Sequence, residues 1–437
     1  MKTCRLFLGV MLTLFLAGAA AAAKEEYAFE ESEIEKKPYQ VGGYVEFRPT
    51  LFGLDKGASL YKTNLFDKSV GGTLMQYNAR LWIDAKIEKE KAGFYLQLNT
   101  DYTQSDVVSA TSQTRAYQAY LSLKPSSSLT VDAGKKTSKW GKGYAWNPAA
   151  FVDRPKDPDD PELALEGYGI LSADYIRSFS SGPLRTFSFT PVLLPSTGDI
   201  NDDFGATDHL NVAAKAYFLL YDTDIDFMFL AGGSRTARYG FDFSRNVGTN
   251  LEVHGEFALI TGSKKTLVEP NGTVRIRDFD AVNYVVGTRY LSSQNTTYIL
   301  EYYYQGSGYS PREMSNFFAF ADKSYDTFLA NGDARAISRA RSMATGNYGR
   351  FTPEMHYLYF RASQPEPFDI LYFTPAIYWI CNVSDRSFQV TPELLYMPVT
   401  DLELRLRTSV LVAGQRNSEF GEKQNDYRVE LRMRYYF

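Results

Sequence analysis

The sequence predicts an all-β fold, a transmembrane antiparallel up-and-down β-barrel of about eighteen strands, with sixteen also compatible. Three observations predict it. Segments of roughly ten residues alternate apolar and polar side chains with period two, as a tilted strand facing lipid on one side and water on the other requires. The connectors between them alternate short and long. Aromatic residues are in excess, with 32 Tyr, 30 Phe and 4 Trp, and rings at both headgroup levels of a barrel account for them.

The chain opens Met1-Lys2-Thr3-Cys4-Arg5, then runs apolar from Leu6 to Leu16 and small from Ala17 to Ala23. A basic start, a short apolar middle and an Ala-x-Ala end read as a secretory signal peptide over 1–23. Residues 24–39 are charged, lack aromatic alternation, and read as a periplasmic tail. Cys4 leaves with the signal, so Cys381 is the single thiol of the mature chain. That excludes an internal disulfide, a Cys-pair metal site and c-type haem attachment. Without Lys2 and Arg5, the 47 basic residues become 45 against 51 acidic, a net charge of −6, which argues against nucleic acid as a partner. After the signal no run of roughly 18 apolar residues occurs, so no helix is expected to span a membrane.

The clearest strand is the last, Tyr427 to Phe437. Tyr427, Val429, Leu431, Met433, Tyr435 and Phe437 share one face, and Arg428, Glu430, Arg432 and Arg434 share the other. Any single strand of this kind also suits a soluble sandwich, but the pattern recurs along the chain. A strand that stops on a terminal Phe, with aromatics at alternate positions before it, resembles the closing strand of bacterial outer-membrane β-barrels. The resemblance by motif covers these eleven residues. It implies an outer-membrane, porin-like barrel surrounded by lipid, with Phe437 in the segment that the barrel-insertion machinery reads.

Comparable segments lie before it at 402–412, 386–397, 368–381, 353–363, 296–306, 280–291, 251–261, 238–246, 224–233, 209–221, 184–194, 167–179, 128–137, 114–124, 92–103, 75–88 and 40–52. The barrel is thus expected over 40–437. Short connectors such as Pro125-Ser126-Ser127 and Asp222-Thr223-Asp224 read as periplasmic turns. Longer ones fall near 53–72, 138–166, 195–208, 262–279, 307–351 and 414–425. An even strand count leaves both ends in the periplasm.

A barrel of this size cannot fill its interior with its own side chains and keeps an aqueous lumen unless something folds in. The segment 138–166 carries Trp140, Trp146 and four prolines from Pro148 to Pro161, more rigidity than a floppy loop needs. It occupies the ordinal place of the loop that narrows general porins, and two readings stay open, a constriction or an exterior cap. Its acidic end holds Asp153, Asp157, Asp159 and Asp160; Pro155, Pro158 and Pro161 break the spacing of a calcium loop, so a solvated acidic patch is expected and no metal site. The segment 307–351 contains a helix-compatible stretch, Arg312 to Met343, bounded by Gly332 and Gly346. Arg335 and Arg339 share a face there, and an exposed basic helix is expected.

If apolar faces meet lipid, Arg405, Arg407, Arg428, Arg432 and Arg434 point inward from the last two strands, and closure adds Arg48 and Arg80. Glu46, Asp84, Glu403 and Glu430 are interspersed. Charge-lined pores select by sign. His209, His254 and His356 stand apart from any nucleophile or metal spacing, so no catalytic residues, enzyme activity or cofactor are expected. His254, between Glu252 and Glu256, reads as part of a polar row. The function expected is a porin-like channel for passive or weakly selective diffusion of small hydrophilic solutes or ions. The other class is a structural barrel sheathing a multihaem cytochrome, with periplasmic and surface cytochromes as partners. Oligomeric state, including a homo-oligomer, stays open.

Overall fold

The computed structural model describes residues 38–415 and 417–437. The expected signal peptide, and residues 24–37 of the expected tail, lie outside the described residues. Eighteen strands follow in order. They are β1 Tyr39–Leu54, β2 Thr73–Lys89, β3 Ala92–Ser105, β4 Thr111–Ser126, β5 Leu129–Lys136 and β6 Tyr168–Ser178. Next come β7 Leu184–Ser196, β8 His209–Leu220, β9 Thr223–Ala231, β10 Arg238–Val247, β11 Leu251–Val268 and β12 Val274–Leu291. The last are β13 Thr297–Gln305, β14 His356–Ser363, β15 Phe373–Asn382, β16 Ser387–Val399, β17 Leu402–Val412 and β18 Asn425–Tyr436.

Every strand pairs antiparallel with its neighbour in sequence, and β1 pairs with both β2 and β18. The sheet is therefore a closed barrel with no free edge. At the seam Phe437 and Gly43 exchange backbone hydrogen bonds at 3.0 and 3.1 Å. A Cβ on Gly43 would lie 2.1 Å from the Trp82 carbonyl oxygen, so only glycine lets the chain pass there. The β1–β18 ladder breaks between Phe47 and Thr50, where Pro49 has no N–H to give.

Alternation sorts the side chains as the sequence predicts. On β18 Tyr427 and Leu431 are exposed while Glu430 and Arg432 are buried, and Leu81, Leu121, Leu171, Phe227, Val286, Leu300 and Leu406 continue an outward apolar band. Large apolar side chains exposed on strand after strand are what a lipid-facing surface requires.

Two connectors differ from expectation. The 262–279 segment is not a loop: β11 and β12 run on to a five-residue turn, 269–273. A register shift between Ile260 and Ser263 changes the alternation phase, and the charged residues beyond it mimic loop composition. Conversely, strand β15 starts at Phe373 rather than 368, because Glu366, Phe368, Asp369 and Tyr372 all take positive φ, which no non-glycine residue of the eighteen strands does.

Three helices belong to the long connectors. Helix α1, Ser59–Leu65, lies between β1 and β2; α2, Pro311–Asn331, and α3, Arg335–Thr345, lie between β13 and β14. Ser310 and Glu313 form a capping box at the start of α2, Pro311 takes its first turn, and Gly332 ends it at φ 74°. Met314, Phe317, Phe318, Ala321, Ile337 and Tyr348 bury one another with Leu60. This makes a lid of packed loops at one end of the barrel. Helix α3 is not simply an exposed basic helix. Arg335 is exposed, but Arg339 donates to the Gly272 carbonyl and Arg341 pairs with Asp67 at 2.5 Å.

Candidate functional site

The 137–167 segment, between β5 and β6, folds into the barrel and docks on its inner wall. We call it the strap. Its root is apolar: Trp140, Phe151 and Val152 bury themselves with Val192, Leu194, Met228 and Ala258 of the wall. Asp153 accepts from the Ser138 and Trp140 amides at 2.7 and 2.9 Å and closes the root on itself.

The middle of the strap reaches an acidic arc of the lumen. Glu256 on β11 accepts from the Gly143 and Ala149 amides at 2.5 and 3.0 Å, and Glu301 on β13 accepts from the Tyr144 and Ala145 amides. Lys142 pairs with Asp226 on β9 at 3.1 Å. Trp146 stacks on Tyr303 with centroids 5.0 Å apart and also meets Tyr357 and Tyr359. Two glycines make this approach feasible. A Cβ at Gly143 would lie 2.2 Å from the Trp146 carbonyl oxygen, and Gly141 combines φ +93° with a Glu256 oxygen 2.7 Å from its missing Cβ.

The acidic end of the strap crosses to the arginines. Asp159 meets Arg428 at 2.6 Å and Arg407 at 3.7 Å, and accepts from Gln389 at 2.6 Å. Asp160 meets Arg432 at 2.8 Å and Arg407 at 4.0 Å. The expectation of a solvated acidic patch is thus corrected: Asp153 and Asp159 are buried, because fixed cations and amides replace water around them. Burial opposes the charge on Asp160, but Arg432 and Arg407 outweigh it and hold its carboxyl at about 2. Asp159 is likewise lowered against its burial by Arg428 and Arg407. Asp157 keeps solvent contact yet lies within the enclosing barrel; that burial, with the charges of Asp159 and Asp160, pushes it up to about 6.

The predicted arginines stand together on β17, β18, β1 and β2. Arg405 meets Glu403 at 3.3 Å, Arg407 meets Glu393 at 3.2 Å, Arg434 meets Glu46 at 2.7 Å and Arg80 meets Asp101 at 2.7 Å. Arg405 and Arg432 face each other directly across the β17–β18 ladder, a like-charge pair that the neighbouring carboxylates offset. Seven arginines, 48, 80, 405, 407, 428, 432 and 434, stand against seven acids, Glu46, Asp101, Asp159, Asp160, Glu393, Glu403 and Glu430. Arg407 and Arg432 are buried under the strap, and Arg48 alone of the seven has no ion pair among the described residues.

Sequence reading missed the acidic arc as the partner of the strap. Its signal was present: Asp226, Asp242, Glu256 and Glu301 all fall on the inward parity of β9 to β13. His254 contacts Glu301 at 2.8 Å, within the polar row expected for it. Among the described residues no group of three or more His, Cys, Asp or Glu is arranged to hold a metal ion.

No known family profile matches the chain, and no curated protein matches it. Solved structures with a related course include Pseudomonas aeruginosa OccK5 (OpdH), 12% identical over 91% of this chain and 98% of that one, with a TM-score of 0.48. The outer membrane protein OprD from Pseudomonas aeruginosa is 9% identical over 91% and 93%, TM-score 0.49. Acinetobacter baumannii OccAB3 is 10% identical over 91% and 99%, TM-score 0.49. At those values the fold assignment rests on the closed ladder and its lipid-facing band. The chain is a closed eighteen-stranded antiparallel β-barrel with an outward apolar band. The strap runs inside the wall from one arc to another.

Proposed function

We propose that this barrel is a water-filled channel for passive, weakly selective diffusion of small hydrophilic solutes or ions. The observation that carries the reading is the strap, which spans from Glu256 and Glu301 on one arc to Arg407, Arg428 and Arg432 on another. An element fixed at both ends narrows a lumen to a set size. The polar side chains left wet beside it, Asp101, Arg115 and Glu162 with 39, 50 and 51% of their side-chain surface exposed, offer both signs to a passing solute. The even count of acids and arginines on that wall supports weak rather than strong selection by charge. A lumen crossed by the chain's own strap also weighs against a sleeve around a cytochrome.

The test is conductance of the purified full chain in a planar bilayer. The expected result is steady single-channel current with a small reversal potential in a salt gradient. Deleting residues 143–160 should raise the current severalfold. A barrel that inserts but passes no ions overturns the channel reading.

A further inference from the structure

We propose that a cavity beside the root of the strap is a binding station for a neutral polyhydroxylated solute, a monosaccharide or polyol. The inference rests on the channel reading and names a substrate class for a part of the lumen away from the arginines. The cavity has a volume of about 280 Å³ and lies against β5 to β8, with Ser138 and Trp140 of the strap on its other side. That lies just under the roughly 300 Å³ at which pockets for drug-sized molecules begin, a space for nothing larger than a single sugar ring.

Its chemistry differs from that of the arginine wall. Ser172, Thr186, Ser188, Thr190 and Tyr217 bring hydroxyls into it; Ser188 and Thr190 already donate to Asp174 and Tyr217 to Asp224, so these three offer acceptor lone pairs, while Ser172 and Thr186 can donate as well. Asp174 stands among them. Its Oδ1 accepts from Ser188 at 2.7 Å and Thr190 at 2.8 Å, while Oδ2 has no protein donor and Asp174 has no ion pair among the described residues. A carboxylate oxygen left open beside fixed hydroxyls matches adjacent hydroxyl groups on a ligand, which can donate to it and accept from Ser172 or Thr186.

The two lysines of the cavity do not turn it into an anion trap. Lys136 is held by Asp132 and lies 5.3 Å from the Tyr120 ring centre, and Lys215 is 3.8 Å from Asp226. The Lys136 charge is compensated by Asp132, Lys215 shares Asp226 with Lys142, and an anionic ligand would meet the open Asp174 oxygen. Trp140 and Val192, both buried in the strap root, close the apolar end of the cavity.

The experiment uses the purified full chain with D-glucose as probe and gluconate as the anionic control of similar size. Two readouts are taken, tryptophan fluorescence in detergent and glucose-dependent current block in a planar bilayer. The expected result is a saturable millimolar response to glucose, weaker for gluconate, absent from the fluorescence of Trp140→Phe, and reduced about tenfold, roughly 1.4 kcal/mol, by Asp174→Ala. Asp174→Asn keeps the volume and one acceptor, so it guards against misfolding and should weaken glucose less. A linear response, equal or tighter gluconate binding, or an unchanged affinity in both Asp174 variants overturns the station. If the barrel passes no ions, the channel reading fails, and the fluorescence titration still decides the site by itself.

Discussion

The strap and the lid are both long connectors, yet they are held by different forces. The strap meets the inner wall of the barrel, whose side chains are polar, and it docks by carboxylates accepting its amides and by arginines meeting its aspartates. Its apolar groups are confined to two anchors, Trp140 and Phe151 at the root and Ala145 and Trp146 in the middle. The lid meets other loops, which have no prescribed polarity, and builds an aromatic core: Tyr348 stacks on Tyr309 and Phe317 at 4.1 and 4.4 Å. The difference teaches that a connector's environment, more than its length, decides its chemistry. A segment inside a wet lumen must replace water at fixed charges, whereas one outside can bury its own apolar face.

The largest expected effect separates the two regions by packing. Phe317→Ala empties the centre of the lid core and should cost about 3–5 kcal/mol there. Hydrogen exchange should show lost protection over 311–331, while the strap keeps its protection and the unheated barrel keeps its fast migration on a denaturing gel. Equal loss in both regions would break the comparison.

A smaller effect is expected from charge. Asp160→Asn removes the closest strap partner of the buried Arg432, which retains Glu430 at 3.1 Å, so the cost should be about 1–3 kcal/mol. Limited proteolysis should cut more readily within 150–165. The uncovered positive charge should move the reversal potential toward anions at low salt, and the shift should fade by about 1 M, where the screening length is roughly 3 Å. An unchanged reversal potential at low salt would place Arg432 off the permeation path.

The smallest effect is a difference in pH response. Asp160, held at about 2, contributes stability present above its unfolded value and lost only as pH falls through about 2. In the loops beside the lid, burial raises Glu419 to about 7 against the nearby Lys423, and burial with the charge of Glu419 raises Glu354 to about 9. Both values exceed those of the unfolded chain, so their contribution is full below the unfolded range and lost as pH rises through 7 and then 9. Between pH 5 and 9 the loop around Glu419 should lose its exchange protection, whereas the pairing of Asp160 with Arg432 stays charged throughout and Asp157, raised to about 6, loosens its own part of the strap. Glu419→Gln should flatten the loss in that loop; a loop whose protection stays constant over the same range would contradict the assignment.

Much of the barrel is legible in the residues. Period-two alternation marks each strand and its wet face, and it alone picks out the basic row of Arg405, Arg407, Arg428, Arg432 and Arg434. Reading failed where the phase changed, at the shift between Ile260 and Ser263, and where apolar residues formed a turn, as at Phe368 to Tyr372. It also took Asp153 and Asp159 for solvated groups, because their partners are distant in sequence. Gly143 and Glu256 are 113 positions apart, and Arg432 and Asp160 are 272.

By itself, then, the sequence determined strand faces and an even, closed barrel of sixteen or eighteen strands, because a strand's alternation is local and each ladder joins neighbours in the chain. Only the tertiary structure decided which inward groups meet across the lumen. Those contacts depend on the course of a single strap, and on whether its amides and aspartates find charges that exchange for water, and neither property is written in any one segment.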